Sequence, residues 1–195
     1  MKRAAEIERK TKETQISARV ALDGSGRCEV STGIGFFDHM LTLLSVHGAI
    51  DLSVRAEGDL QVDFHHTVED VGLVLGEALT KCLGDRKGIN RYGHAVVPMD
   101  DALAAVTIDL SNRPYLKVTL PERMPIQNNF DASLAGEFFR ALAQKAGMNL
   151  HIRVIYGENW HHMIEAIFKG IGRALRQATS PDSRMVGVPS SKGTL

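Results

Sequence analysis

HHTVEDVGLVLGEAL, running from His65 to Leu79, returns 96 residues later as HHMIEAIFKGIGRAL, from His161 to Leu175. At that spacing both histidines, a glutamate (Glu69 and Glu165), a glycine (Gly76 and Gly172), an alanine and a leucine coincide. Val68 and Val71 fall on Ile164 and Ile167. Apolar residues three and four apart predict an amphipathic helix for each stretch. Two such helices can share apolar positions by coincidence, but a doubled His-His-x-x-Glu needs another cause. The chain reads as an internal duplication.

Working outward, the spacing becomes 98 and sets Leu52, Val54 and Arg55 on Leu150, Ile152 and Arg153. The apolar helix around Met40 to Leu44 then falls on Phe138 to Leu142. Earlier still, LDGSGRCEV (22–30) and LSNRPYLKV (110–118) each read as two alternating runs around a turn, hence a hairpin. Each half spells hairpin, helix, strand, helix. A sheet with one apolar face and two helices to cover it can pair with a second copy of itself, burying the helices between two outer sheets. The expected architecture is two duplicated halves with the helices packed between two outer sheets. Residues 1–12 read as a charged, loose arm, 13–92 as the first half, and 93–195 as the second half with a C-terminal tail, all in one domain.

Composition narrows the function. At 195 residues, 44% of them hydrophobic, the chain is ordinary globular protein, too short for more than one domain or two lobes sharing a core. Twenty-three Lys and Arg balance twenty-three Asp and Glu, so the basic excess of a non-specific nucleic-acid binder is missing. The longest apolar run, about Ala102 to Ile108, falls well short of a membrane span, and a soluble protein is expected. MKRAAEIERKTKE carries no apolar stretch behind its charges, unlike a secretory signal. Cys28 and Cys82 lack the spacing of a zinc site or disulfide framework, which fits a reducing, cytoplasmic location.

Six of the eight histidines lie in three segments, FFDHMLTLLSVHG (His39, His47), DFHHTVED (His65, His66) and NWHHMIEA (His161, His162). Helical residues three and four apart share a face, so Glu69 and Glu165 each stand beside one histidine of their pair. Adjacent helical side chains diverge by about 100°, which suits neighbouring histidines to two different ions rather than one. The repeat also sets Glu137 against His39. The pool is five histidines (39, 65, 66, 161, 162) and three glutamates (69, 137, 165). Shared by two ions, it offers about four protein ligands each and leaves positions open on a six-coordinate ion. Imidazole and carboxylate without thiolate suit manganese, iron or a similar divalent ion better than structural zinc. His94 and His151, standing alone, read as ordinary core or surface residues. His47, near the end of its helix, fits a cationic C-terminal role equally well.

Four cations occupy places where no local structural role is obvious. They are Arg91 in GINRYG, Arg113 in SNRPYL, Lys169 four residues after Glu165, and Lys192 in PSSKG. Each alone is an ordinary surface charge. Together with the hydroxyls and N–H groups of the Ser-Ser-Lys-Gly tail they suit a phosphate near the metals. No P-loop, dinucleotide fingerprint or nucleophile elbow is present. A dinuclear metallohydrolase and a non-catalytic metal-binding assembly protein are both compatible with this pool.

FFDHML, DFHHTVEDVG, GINRYG, PMDDALA, DLSNRPYL, GENWHHMIEAIFK, RALRQA and PSSKG together resemble the imidazoleglycerol-phosphate dehydratase family, from about Glu13 to the C-terminus. The resemblance implies a lyase of histidine biosynthesis that dehydrates imidazoleglycerol phosphate. It also implies a duplicated α+β fold with two four-stranded sheets and the helices packed between them, trimers assembled into a 24-subunit homo-oligomer, interfacial active sites and two Mn2+ ions per site, with neither nucleic acid nor membrane as partner. By position, it makes His39, His65, His66, Glu69, His161, His162 and Glu165 metal ligands. Glu137 departs from the histidine common there and is kept as a further ligand. Arg91, Arg113, Lys169, Ser191 and Lys192 would hold the substrate phosphate. Glu13, His39 and His47 resemble substrate-contacting positions; Glu13 and His47 are the catalytic candidates, with Glu13 preferred for proton transfer. Neither chain hydrogen of the implied substrate is adjacent to a carbonyl, so its imidazole ring must serve as electron reservoir, passing through imidazolate and diazafulvene forms.

Overall fold

Alternation decides the strands. In Thr14–Ala21 (β2) Thr14, Ile16, Ala18 and Val20 are buried while Gln15, Ser17 and Arg19 face out, the period-two pattern of a half-buried strand. It pairs antiparallel with Ala4–Lys10 (β1) on one side and with Asp51–Gly58 (β4) on the other. Cys28–Ser31 (β3) lies parallel to β4 at the far edge, giving the order β1-β2-β4-β3. The computed structural model describes residues 3–121, 130, 132–185 and 187–195. Its second sheet is built from Tyr92–Met99 (β5), Ala102–Asp109 (β6), Tyr115–Thr119 (β7) and Asn149–Tyr156 (β8), in the order β5-β6-β8-β7 with the same strand senses. The helices are Gly35–Gly48 (α1), His65–Leu83 (α2), Ala132–Ala146 (α3) and Trp160–Thr179 (α4).

The α+β duplication with two four-stranded sheets is present, but two local expectations are corrected. The runs within LDGSGRCEV and LSNRPYLKV do not pair as hairpins, because β4 lies between β2 and β3, and β8 between β6 and β7. The physical reason is ladder length. Helix α1 carries the chain back parallel to β3, and the returning β4 matches all eight residues of β2, where β3 offers only four. The hairpins are β1–β2 and β5–β6. Of the residues expected as a loose arm, Ala4–Lys10 form edge strand β1, which buries Ile7 and keeps Glu6 and Glu8 outward. Charges on such an edge oppose pairing with other chains.

Helix α2 covers β1 and β2 and packs on α3 of the other half; α4 covers β5 and β6 and packs on α1. The repeated glycine explains the closeness of these pairs. A Cβ at Gly76 would stand 2.7 Å from the Leu142 carbonyl, and one at Gly172 would stand 2.5 Å from the Leu44 carbonyl. Leu44 and Leu142 are themselves repeat partners, so the halves interlock about an approximate two-fold. Phe37 from α1 meets Phe138 edge-on at 5.2 Å, and Phe138 stacks on Phe168 at 5.5 Å, joining both halves into one core. Among the described residues no helix is long and apolar enough to cross a membrane.

Candidate active site

Each histidine pair opens a helix, held by a side chain two residues upstream. Asn159 accepts a hydrogen bond from the His161 N–H at 2.9 Å, and Asp63 from the His65 N–H at 2.8 Å. Such acceptors satisfy the orphan donors of a first turn and fix where the chain enters the helix.

Helices α1 and α4 run side by side in the same direction, with His39 beside the first turns of α4. His39 Nε2 lies 2.8 Å and His161 Nε2 3.0 Å from Oε1 of Glu165. The three donor atoms all fall within 4.8 Å of one another. Glu165 Oε2 accepts from Lys169 Nζ at 2.7 Å, and Lys169 also reaches Met99 Sδ at 3.0 Å. The ring of Phe36 meets His161 edge-on at 5.2 Å. Burial pushes the Glu165 carboxyl up, but bonds from Lys169, His39 and His161 outweigh it and hold the pKa at about 2. Two imidazoles and a buried, ionised carboxylate converging without thiolate form a donor set suited to a six-coordinate divalent ion.

The second histidine of each pair points elsewhere. His162 Nδ1 donates to Asp101 Oδ1 at 2.5 Å, and Asp101 Oδ2 accepts the backbone N–H groups of Glu158 and Asn159 at 2.6 and 2.8 Å. His66 Nδ1 faces the Asp59 carboxylate at 3.0 and 3.2 Å. These bonds raise the pKa of both imidazoles. Glu13 Oε1 lies 3.9 Å from His66 Nε2. Neither Asp59 nor Asp101 was singled out from the sequence, although a spacing of 88 residues, which relates LDGSGRCEV to LSNRPYLKV, also sets Glu13 on Asp101.

In the first half, His65 Nε2 lies 3.9 Å from Glu69 Oε2. Glu137 stands on α3 where His39 stands on α1, and both its oxygens are 2.6 Å from Arg140 Nη1. Among the described residues no hydrogen bond, ion pair or ring contact joins His65 or His66 to His161 or His162. The two clusters remain separate within one chain.

The cations also divide. Arg91 does have a local structural role, contrary to expectation. It is buried, donates to Asp109 at 2.6 and 3.0 Å, and holds the Pro189 carbonyl at 2.7 Å. Asn112 next to Arg113 holds the Leu195 carbonyl at 3.4 Å, so the tail carrying Ser191 and Lys192 lies at the Arg91 end of the second sheet. Lys169 touches Met99, at the other end of β5. His47 lines a cleft of about 310 Å³ with His94, Arg173 and Arg176, and burial, then Lys169 and Arg173, lower its pKa. His94 and His151 are exposed, His151 lying 5.5 Å from the Tyr115 ring.

Residues 32–175 match the family model described as imidazoleglycerol-phosphate dehydratase. A protein of that name from Desulfosudis oleivorans is 58% identical over 195 residues, covering all of both chains. Another from Syntrophobacter fumaroxidans is 57% identical over 194 residues, covering 100% of this chain and 98% of its own. The crystal structure of imidazoleglycerol-phosphate dehydratase from Staphylococcus aureus superposes with a TM-score of 0.83 at 38% identity, over 92% of this chain and 99% of that one. The crystal structure of IGPD from Pyrococcus furiosus in complex with (S)-C348 gives 0.84 at 39% identity, over 97% and 100%.

Proposed function

The chain belongs to the imidazoleglycerol-phosphate dehydratase family and is an enzyme of that class, and from that premise we propose that it converts imidazoleglycerol phosphate to imidazoleacetol phosphate in histidine biosynthesis, with two manganese ions at each site. The observation that carries the reading is the convergence of His39, His161 and Glu165 within 4.8 Å, one donor from the first half and two from the second. His65, His66, Glu69, Glu137 and His162 complete the proposed ligand pool. Divalent ions held there would act as Lewis acids toward the substrate ring nitrogens and make the ring anion accessible.

The substrate ring would then expel the hydroxyl on its attached carbon, which takes up a proton and leaves as water, giving a diazafulvene; loss of the neighbouring C–H proton would give the enol, which ketonises. Glu13, exposed beside His66, is the group proposed to move that proton, with His47 as second acid–base candidate. Lys169 keeps Glu165 ionised and oriented through the bond at 2.7 Å and presents positive charge to the phosphate.

The arrangement of cations supports an active site shared between copies. Lys169 and the Arg91–Arg113–Ser191–Lys192 group occupy opposite ends of β5, whose seven-residue rise is roughly 23 Å. A three-carbon phosphate chain cannot span that length, which favours a phosphate group that faces the metal cluster of another chain. This agrees with the homo-oligomer proposed from the family resemblance, a 24-mer of trimers. The free thiols Cys28 and Cys82 suit the proposed cytoplasmic location. The test is turnover. Manganese-loaded protein should form the ketone product from imidazoleglycerol phosphate, and a chelated sample should not. Hydrolysis of unrelated phosphate esters in place of that reaction would favour a dinuclear metallohydrolase.

A further inference from the structure

Two aspartates lie behind the histidine pairs, outside the proposed ligand pool, each bonded to one of its histidines. A carboxylate only accepts hydrogen bonds, so Asp101 Oδ1 at 2.5 Å from His162 Nδ1 fixes the proton of the neutral ring on Nδ1. The Asp59 carboxylate, 3.0 and 3.2 Å from His66 Nδ1, does the same in the first half. In both rings Nε2 is left as the lone-pair donor; the carboxylates on that side, Asp100 Oδ2 at 3.6 Å from His162 and Glu13 Oε1 at 3.9 Å from His66, lie beyond hydrogen-bond distance.

The two aspartates are not repeat partners. Asp101 immediately precedes β6, and the residue immediately preceding β2, 88 positions earlier, is Glu13. Asp59 instead follows β4. The duplicated hairpin turn carries a carboxylate in each half, and the halves use it differently. In the second half it is consumed by His162 and by two backbone N–H groups. In the first half a different loop supplies the acceptor, and Glu13 stays exposed, 3.9 Å from the opposite nitrogen of His66.

We propose that Asp59 and Asp101 are positioning residues that set the Nδ1–H tautomer of His66 and His162 so that Nε2 can bind a divalent ion, and that recruiting Asp59 for this frees Glu13 for the chemistry. The inference rests on the metal-dependent reading above. Orienting carboxylates behind a metal-bound imidazole raise its basicity and restrict its rotation.

The two sites respond differently to the same substitution. In Asp101→Asn the amide oxygen stays with the two backbone N–H donors, which turns the NH2 toward His162 Nδ1 and forces the proton onto Nε2. Asp59→Asn can still offer its oxygen to His66, because no backbone donor competes for it among the described residues. The experiment titrates full-length protein with Mn2+, without substrate, following free ion by electron paramagnetic resonance. Ring 15N solid-state spectra of the histidine-labelled, metal-free protein are recorded alongside, assigned with His66→Ala and His162→Ala. Asp101→Asn should reverse the His162 tautomer and weaken Mn2+ binding by about 10–100-fold. Asp59→Asn should keep the His66 tautomer and lose less than about tenfold. Weakened binding with an unchanged His162 tautomer would reduce the effect to lost charge and overturn the proposal, as would unchanged binding. If Asp101→Asn fails to fold, the wild-type spectrum decides: Nε2–H on neutral His66 and His162 overturns it. Failure of wild-type protein to bind Mn2+ would instead bring down the metal-dependent reading itself, and the proposal with it.

Discussion

His39 Nε2 lies 2.8 Å from Oε1 of Glu165, a contact across 126 residues that joins the first duplicated half to the second. It exists because α1 lies along α4, brought close where Gly172 passes the Leu44 carbonyl. Glu137, His65 and Glu69 hold the equivalent places in the repeat, though among the described residues only His39, His161 and Glu165 converge. Glu165→Ala and Glu69→Ala should therefore each lose bound manganese, counted by atomic absorption after gel filtration. Full occupancy in either variant would contradict the ligand assignment.

The interlock can be tested apart from the metal. Gly172→Ala places a Cβ 2.5 Å from the Leu44 carbonyl and 2.8 Å from the Gly48 nitrogen, backbone atoms that cannot rotate away. The helices must separate, with an expected loss of about 1–3 kcal/mol. Urea unfolding of the metal-free protein measures it, and an unchanged midpoint would show that the helices do not approach so closely.

Acid should expose the Glu165 network. The folded pKa of about 2 lies below the ordinary 4.5, so between these values the folded state binds fewer protons than the unfolded one. The stabilisation from this group is complete above about pH 4.5 and is lost as pH falls toward about 2. In chelated samples, the stability difference between wild type and Glu165→Gln should shrink across that window. A difference independent of pH would contradict the ionised, bonded carboxylate.

Substrate-contact roles separate kinetically. Lys192→Ala, removing a phosphate contact, should chiefly raise KM, and an unchanged KM with a large fall in kcat would count against it. Glu13→Gln should retain manganese yet lose turnover; near-normal kcat would remove Glu13 from proton transfer.

The doubled His-His-x-x-Glu and the apolar spacing were enough to read the duplication, the four helices and the two-sheet architecture from sequence. Strand pairing was less legible. The runs around Gly24 alternate correctly, but alternation cannot tell which neighbour a strand selects; that follows from α1 returning β4 into the gap. Charged β1 concealed its strand character because Ile7 is its only fully buried apolar residue. At the site, the ligand pool could be read because histidine and glutamate recur at helical spacing. Asp59 and Asp101 could not be read that way, since they act from loops whose proximity to α2 and α4 is set by tertiary packing. Arg91 looked like a free cation because Asp109, its partner, is 18 residues away on the adjoining strand.

In the assembly proposed above, the metal cluster of one copy works on a substrate whose phosphate is held by another. Co-expressing Glu165→Ala with an Arg113→Ala/Lys192→Ala double variant tests this directly, because each assembly then contains both kinds of chain. If the two groups meet only across an interface, activity at low substrate should return to about a quarter of the wild-type value under random mixing. Activity no greater than the sum of the separately expressed variants would contradict the shared site.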